Sequence, residues 1–137
     1  MTGRAVDAFF YGLYMDVDVL RASGVAPRNP RRACVHDFAL RIGKRATLIP
    51  SSGGRAYGML IELTPLELDR LYGAPGLEAY RPEAVIARPL DGGLVAALCY
   101  SLAEPPGAQE RNADYAARLQ RLLRALDFPA EYVAAVS

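Results

Sequence analysis

Two short stretches of this chain bring together residue types that could bind or transform a small molecule. The first, DRLYGAPGLEAYRPE at residues 69–83, places Tyr72, Glu78 and Tyr80 around two glycines and a proline. Glu78 is a candidate acid or base there. Ala74, Pro75 and Leu77 are apolar neighbours of the kind that lift a carboxylate toward a working pH. A solvated turn with tyrosines packed beside it explains the same residues. The second stretch is Tyr11-Gly12-Leu13-Tyr14-Met15. A glycine between a strand and a helix lets a ligand approach the main chain, and the amides after it suit a carboxylate or a developing oxyanion. A tight turn accounts for Gly12 equally well.

Other chemistries find little support. His36 is the only histidine, and Cys34 and Cys99 lack the close spacing of zinc ligands. No G-x-S-x-G nucleophile motif occurs. Ser51 to Arg55 (SSGGR) reads as a hairpin turn rather than an anion cradle. Arg28, Arg31 and Arg32, beside Pro27 and Pro30, could form a small anion site, but a solvated connector is the plainer reading. Sixteen basic residues against fifteen acidic ones, a net charge of +1, argue against nucleic acid as the main partner. The cysteines sit in apolar strand-like runs and read as buried free thiols of a reducing compartment. With no basic-then-apolar N-terminal signal and no apolar run of roughly 18 residues, the expectation is a cytoplasmic protein without a membrane partner.

The elements that must position these residues form one domain over 1–137, without repeats or a linker. An apolar strand is expected over 5–11 and a short helix over 16–23, stopped by Gly24. Strands follow over 33–42, 46–49 and 56–63, the last two joined as a hairpin through 50–54. Thr64-Pro65-Leu66-Glu67 is a helix start with a capping box; Leu63, Leu66 and Leu71 supply its buried face and Gly73 its end. Strands over 84–88 and 94–102 are joined by Asp91-Gly92-Gly93. A C-terminal helix begins at Asn112 and buries Tyr115, Leu119, Leu122, Leu123 and Leu126; Pro129 restarts a turn. About six strands without regular βαβ alternation make this an α+β fold, a mostly antiparallel sheet or barrel.

The order of these features resembles the gamma-glutamylcyclotransferase-like family, the AIG2-like group and its relatives. Tyr11-Gly12-Leu13-Tyr14-Met15 is similar to that family's Y-G-S-x-L loop. The likeness continues through Arg45-Ala46-Thr47-Leu48-Ile49-Pro50, Tyr57-Gly58-Met59-Leu60 and Leu68-Asp69 ahead of a glycine. It extends to Tyr100 at a strand end and to Leu126-Asp127-Phe128-Pro129 with Tyr132. It covers nearly the whole chain; each motif is loose, and their order is the specific part.

The resemblance implies a small mixed, mostly antiparallel β-barrel with flanking short helices and a C-terminal helix. It implies acyl transfer in which the amine of a γ-glutamyl group attacks its own side-chain carbonyl, releasing 5-oxoproline and an amine or peptide. No metal or organic cofactor is implied. The partner would be a small γ-glutamyl or amino-acid-like ligand, bound by a monomer or homodimer. The implied pocket lies between Tyr11, Gly12, Leu13, Tyr14 and Met15, the Tyr72-Gly73 turn, and Tyr100. Two departures stand out. Tyr72 occupies the place of the base glutamate in the family's L-D-x-x-E-G motif, and Leu13 replaces its serine. A tyrosine with pKa near 10 is ionised in about one molecule in a thousand at neutral pH, so it is no like-for-like base. Glu78 is then the candidate substitute, ahead of Glu62 and Asp69. The alternative is a non-catalytic binding or interaction domain of the same fold.

Overall fold

β1 (Val6–Phe10) is buried over Ala8, Phe9 and Phe10, running antiparallel to β3 (Ala46–Leu63) and parallel to β5 (Val95–Leu102). The computed structural model describes residues 4–137; the first three residues of the expected 1–137 domain lie outside it. With β2 (Arg28–Ile42) and β4 (Tyr80–Pro89), the strands close a five-stranded barrel in the order β1-β3-β2-β4-β5. The β1–β5 contact is its parallel pair, and β3–β2, β2–β4 and β4–β5 are antiparallel. Phe9, Val35, Leu60 and Ile61 belong to the hydrophobic core, each 1% exposed or less. The α+β barrel with short helices matches the expectation.

Among the described residues four short helices dress the barrel: α1 (Val17–Ala22), α2 (Pro65–Tyr72), α3 (Ala113–Ala125) and α4 (Ala130–Ala135). The Thr64 hydroxyl accepts from the Glu67 amide at 3.2 Å and the Glu67 carboxylate from the Thr64 amide at 2.9 Å, completing the expected capping box. The Gly73 amide closes α2 on the Asp69 carbonyl. Leu66 departs from expectation. It is 72% exposed, and α2 buries Leu68 and Leu71, three residues apart on one face. Asn112 caps α3, accepting from the Tyr115 amide at 3.1 Å. No helix among the described residues is long and apolar enough to cross a membrane.

The largest correction concerns residues 50–54. The strands expected over 46–49 and 56–63 are one strand, β3, and the reversal lies earlier, between Ile42 and Ala46. Phe38 pairs with Pro50 and His36 with Arg55, so residues 51–54 stand opposite Asp37 alone. The Gly53 amide donates to the Asp37 carboxylate at 3.0 Å, and both residues take positive φ, +78° and +66°. Turn-forming residues here make a wide bulge, since glycine and polar side chains serve a bulge as well as a reversal.

The arginine cluster is also spent on structure. Arg28 pairs with Glu67 at 3.3 Å, Arg31 with Asp7, and Arg32 donates to the Asp127 carbonyl at 2.7 Å. Each guanidinium ties β2 to another segment, which leaves no shared anion site. Cys34 and Cys99 are buried free thiols.

β1 and β3 approach so closely that residue 58 has no room for a side chain. A Cβ there would overlap the Phe10 carbonyl oxygen and stand 2.8 Å from the Phe9 ring. Gly58→Ala is therefore expected to destabilise the fold by at least about 2 kcal/mol, read from urea midpoints at constant m-value. An unchanged midpoint would contradict the β1–β3 packing.

Candidate functional site

Where β1 ends, Tyr11 turns inward and its hydroxyl donates to the Tyr100 carbonyl at 2.7 Å, joining β1 to the far part of β5. Gly12 and the single 3-10 turn Leu13–Met15 then cross the barrel mouth. A Cβ at Gly12 would overlap the Tyr115 hydroxyl, so glycine here lets α3 seat against the loop. The Leu13 amide, one of the expected oxyanion donors, gives its hydrogen bond to that hydroxyl at 3.3 Å. The Met15 amide is used within the turn, on the Gly12 carbonyl.

These elements enclose a cavity of about 280 Å³. Tyr11, Gly12, Leu13 and Tyr14 line one side. Tyr72 lines it too, stacked on Tyr100 with ring centroids 3.9 Å apart and planes 6° from parallel. Tyr14 meets Tyr72 edge-on at 5.9 Å, and Tyr80 packs on its other flank at 5.8 Å. Offset and edge-on aromatic contacts of this kind hold ring positions firmly. Among the described residues the Tyr72 hydroxyl has no hydrogen-bond partner and is not sealed from solvent.

Three expected lining residues lie elsewhere. Met15 is wholly buried in the core, Gly73 is the exposed cap of α2, and Tyr100 supports Tyr72 from behind. In their place the cavity takes Phe10, Leu77, Tyr80 and Tyr115, together with Lys44, Arg45 and Ala46 from the β2–β3 reversal. Tyr115 was legible as a residue on the buried stripe of a helix, and Tyr80 as a neighbour of Glu78. Arg45 was legible only as the first residue of a motif in the resemblance, and Lys44 gave no signal.

Glu78 does not behave as a buried base. It is exposed, it is absent from the cavity lining, and its carboxylate accepts from the Gly76 amide at 3.1 Å. Backbone hydrogen bonds hold its pKa below the usual carboxylate value, with Arg45 adding a smaller pull, so proton uptake is weakened. Glu62 accepts from Asn29 at 2.7 Å, and Asp69 is exposed on α2. No carboxylate, imidazole or thiol lines the cavity. Among the described residues no cluster of three or more His, Cys, Asp or Glu side chains could hold a metal ion.

Burial pushes the Tyr72 and Tyr11 hydroxyls well above their ordinary pKa, and each stands close enough to Cys99 that neighbouring anions would repel. Burial takes Tyr80 up to about 12 and raises Tyr115 against the lowering effect of the Leu13 amide. The cavity hydroxyls are therefore protonated at neutral pH; Tyr11, Tyr14 and Tyr80 spend their hydrogens on the Tyr100, Leu71 and Ala46 carbonyls, which leaves Tyr72 and Tyr115 as the donors open to the cavity. With folded pKa values above the unfolded value near 10, these groups contribute stability that is complete below that pH. The contribution is lost as pH rises from about 10 through the folded values. Urea midpoints between pH 8 and 12 should fall in that window and more shallowly in Tyr72→Phe; equal slopes would show that Tyr72 is not held protonated.

No protein-family model matches this chain. No curated protein matches it by sequence. Solved structures do match. One named gamma-glutamyl cyclotransferase has a TM-score of 0.80 at 18% identity, over 97% of this chain and 88% of its own. An uncharacterized human protein has a TM-score of 0.79 at 19% identity, over 98% and 89%. A mouse AIG2-like protein has a TM-score of 0.59 at 19% identity, over 81% and 90%. At such identities the likeness is one of architecture: this chain has the gamma-glutamyl cyclotransferase-like fold.

Proposed function

We propose that this protein binds a small amino-acid-like molecule, of the γ-glutamyl amide type, in the tyrosine-walled cavity and does not turn it over. The observation that carries the reading is the lining itself: protonated tyrosine hydroxyls and two cations, with no group placed to take a proton. Intramolecular acyl transfer from a γ-glutamyl group needs the attacking amine deprotonated, and a positioned base contributes about 10²–10⁴-fold to such a step. Tyr72 holds the position where the resemblance expects that base. Its raised pKa makes it a hydrogen-bond donor to a ligand carbonyl or carboxylate instead. A volume of about 280 Å³ suits a ligand of this size, and the aromatic walls exclude water from its aliphatic part.

Incubation with γ-glutamyl dipeptides and amines should raise the melting temperature without releasing 5-oxoproline. Tyr72→Glu places a carboxylate among the same rings, where burial lifts its pKa toward that of a working base. That variant is expected to gain 5-oxoproline release by about two orders of magnitude over the unaltered protein. Ready turnover by the unaltered protein, abolished in Glu78→Gln, would overturn the proposal in favour of a relocated base.

A further inference from the structure

Arg45 is the one guanidinium on the cavity wall. It sits at the β2–β3 reversal, where the Gly43 amide donates to the Arg45 carbonyl at 3.1 Å and fixes the main chain. Its side chain is partly buried and passes close over Gly76, with one terminal nitrogen 3.2 Å from where a Cβ would stand. Gly76 has φ of +90° and no side chain to displace the guanidinium.

Among the described residues Arg45 makes no side-chain hydrogen bond and no ion pair, unlike Arg28, Arg31 and Arg32. The acids around it are engaged or turned outward. Glu78 is bound to the Gly76 amide, Glu110 holds the Lys44 and Gly107 amides, and Glu104 is exposed. Arg45 also borders a second depression of about 430 Å³, walled by Ala79, Arg81, Leu102 and Glu104. The two hollows thus meet at this side chain. A partly desolvated guanidinium with its planar donors free is matched by a carboxylate, which it can grip through two parallel hydrogen bonds.

We infer that Arg45 selects ligands that carry a carboxylate at the end that reaches from the tyrosine cavity toward the second depression. The inference rests on the binding reading above and adds a requirement on the ligand's outer end. A γ-glutamyl peptide meets this requirement, and a γ-glutamyl alkylamine does not.

Calorimetric titration with γ-glutamylglycine and γ-glutamylmethylamide, which differ in that carboxylate, separates the two claims. The unaltered protein should bind γ-glutamylglycine at least about tenfold more tightly. Arg45→Met should erase the preference, the two ligands then binding with equal affinity, and an unchanged melting temperature of the free variant shows that the fold is intact. Arg45→Lys should retain part of it, since charge survives and the paired donors do not. Equal affinities in the unaltered protein would overturn the role of Arg45 alone. So would a preference that survives Arg45→Met and vanishes in Lys44→Met. Binding of neither ligand would overturn the binding reading and this inference together.

Discussion

The hydrogen bond from the Tyr11 hydroxyl to the Tyr100 carbonyl is the contact from which the cavity is built. It joins the end of β1 to β5 at the barrel mouth. It also holds Tyr100 where its ring can stack on Tyr72. Tyr14 and Tyr80 then close on Tyr72 from two further directions, and Tyr80 fastens itself to the Ala46 carbonyl. Ala46 opens β3, so the same network holds Arg45, one residue earlier, at the rim. A site made this way is ordered by strands and ring contacts rather than by mobile loops.

This construction has a chemical consequence. Six aromatic side chains packed so closely desolvate any ionisable group among them, and desolvation favours the neutral form. Phenols tolerate such a place because their neutral form still donates hydrogen bonds. The cavity therefore combines the phenol donors of Tyr72 and Tyr115 and apolar walls with two cations, Lys44 and Arg45.

The sequence was most legible where one residue type has one physical use. Thr64 and Glu67 announced a capping box, Asn112 a helix start, and Gly12 a constrained point after β1; all three are found in place. Gly12, however, makes room for Tyr115, a partner more than a hundred residues away that no local pattern reveals. Ambiguity did the rest. Ser51 to Gly54 suits a reversal or a bulge, and the bulge is what forms opposite Asp37. Leu66 fits the helix period but faces water, since α2 turns the face of Leu68 and Leu71 inward. Glu78 lay beside the right tyrosines in sequence, yet the Gly76 amide turns its carboxylate outward.

The central claim is that the tyrosine cavity holds its ligand intact. NMR of the protein with ¹³C-labelled tyrosine rings, observed during addition of γ-glutamylglycine, tests occupancy and chemistry in one tube. The account predicts shifts confined to the cavity residues Tyr11, Tyr14, Tyr72, Tyr80 and Tyr115 and to the supporting Tyr100, with the dipeptide recovered unchanged. Conversion of the dipeptide to 5-oxoproline would contradict it. So would shifts at Tyr57 and Tyr132, which pack on each other and do not line the cavity, with the cavity rings unmoved.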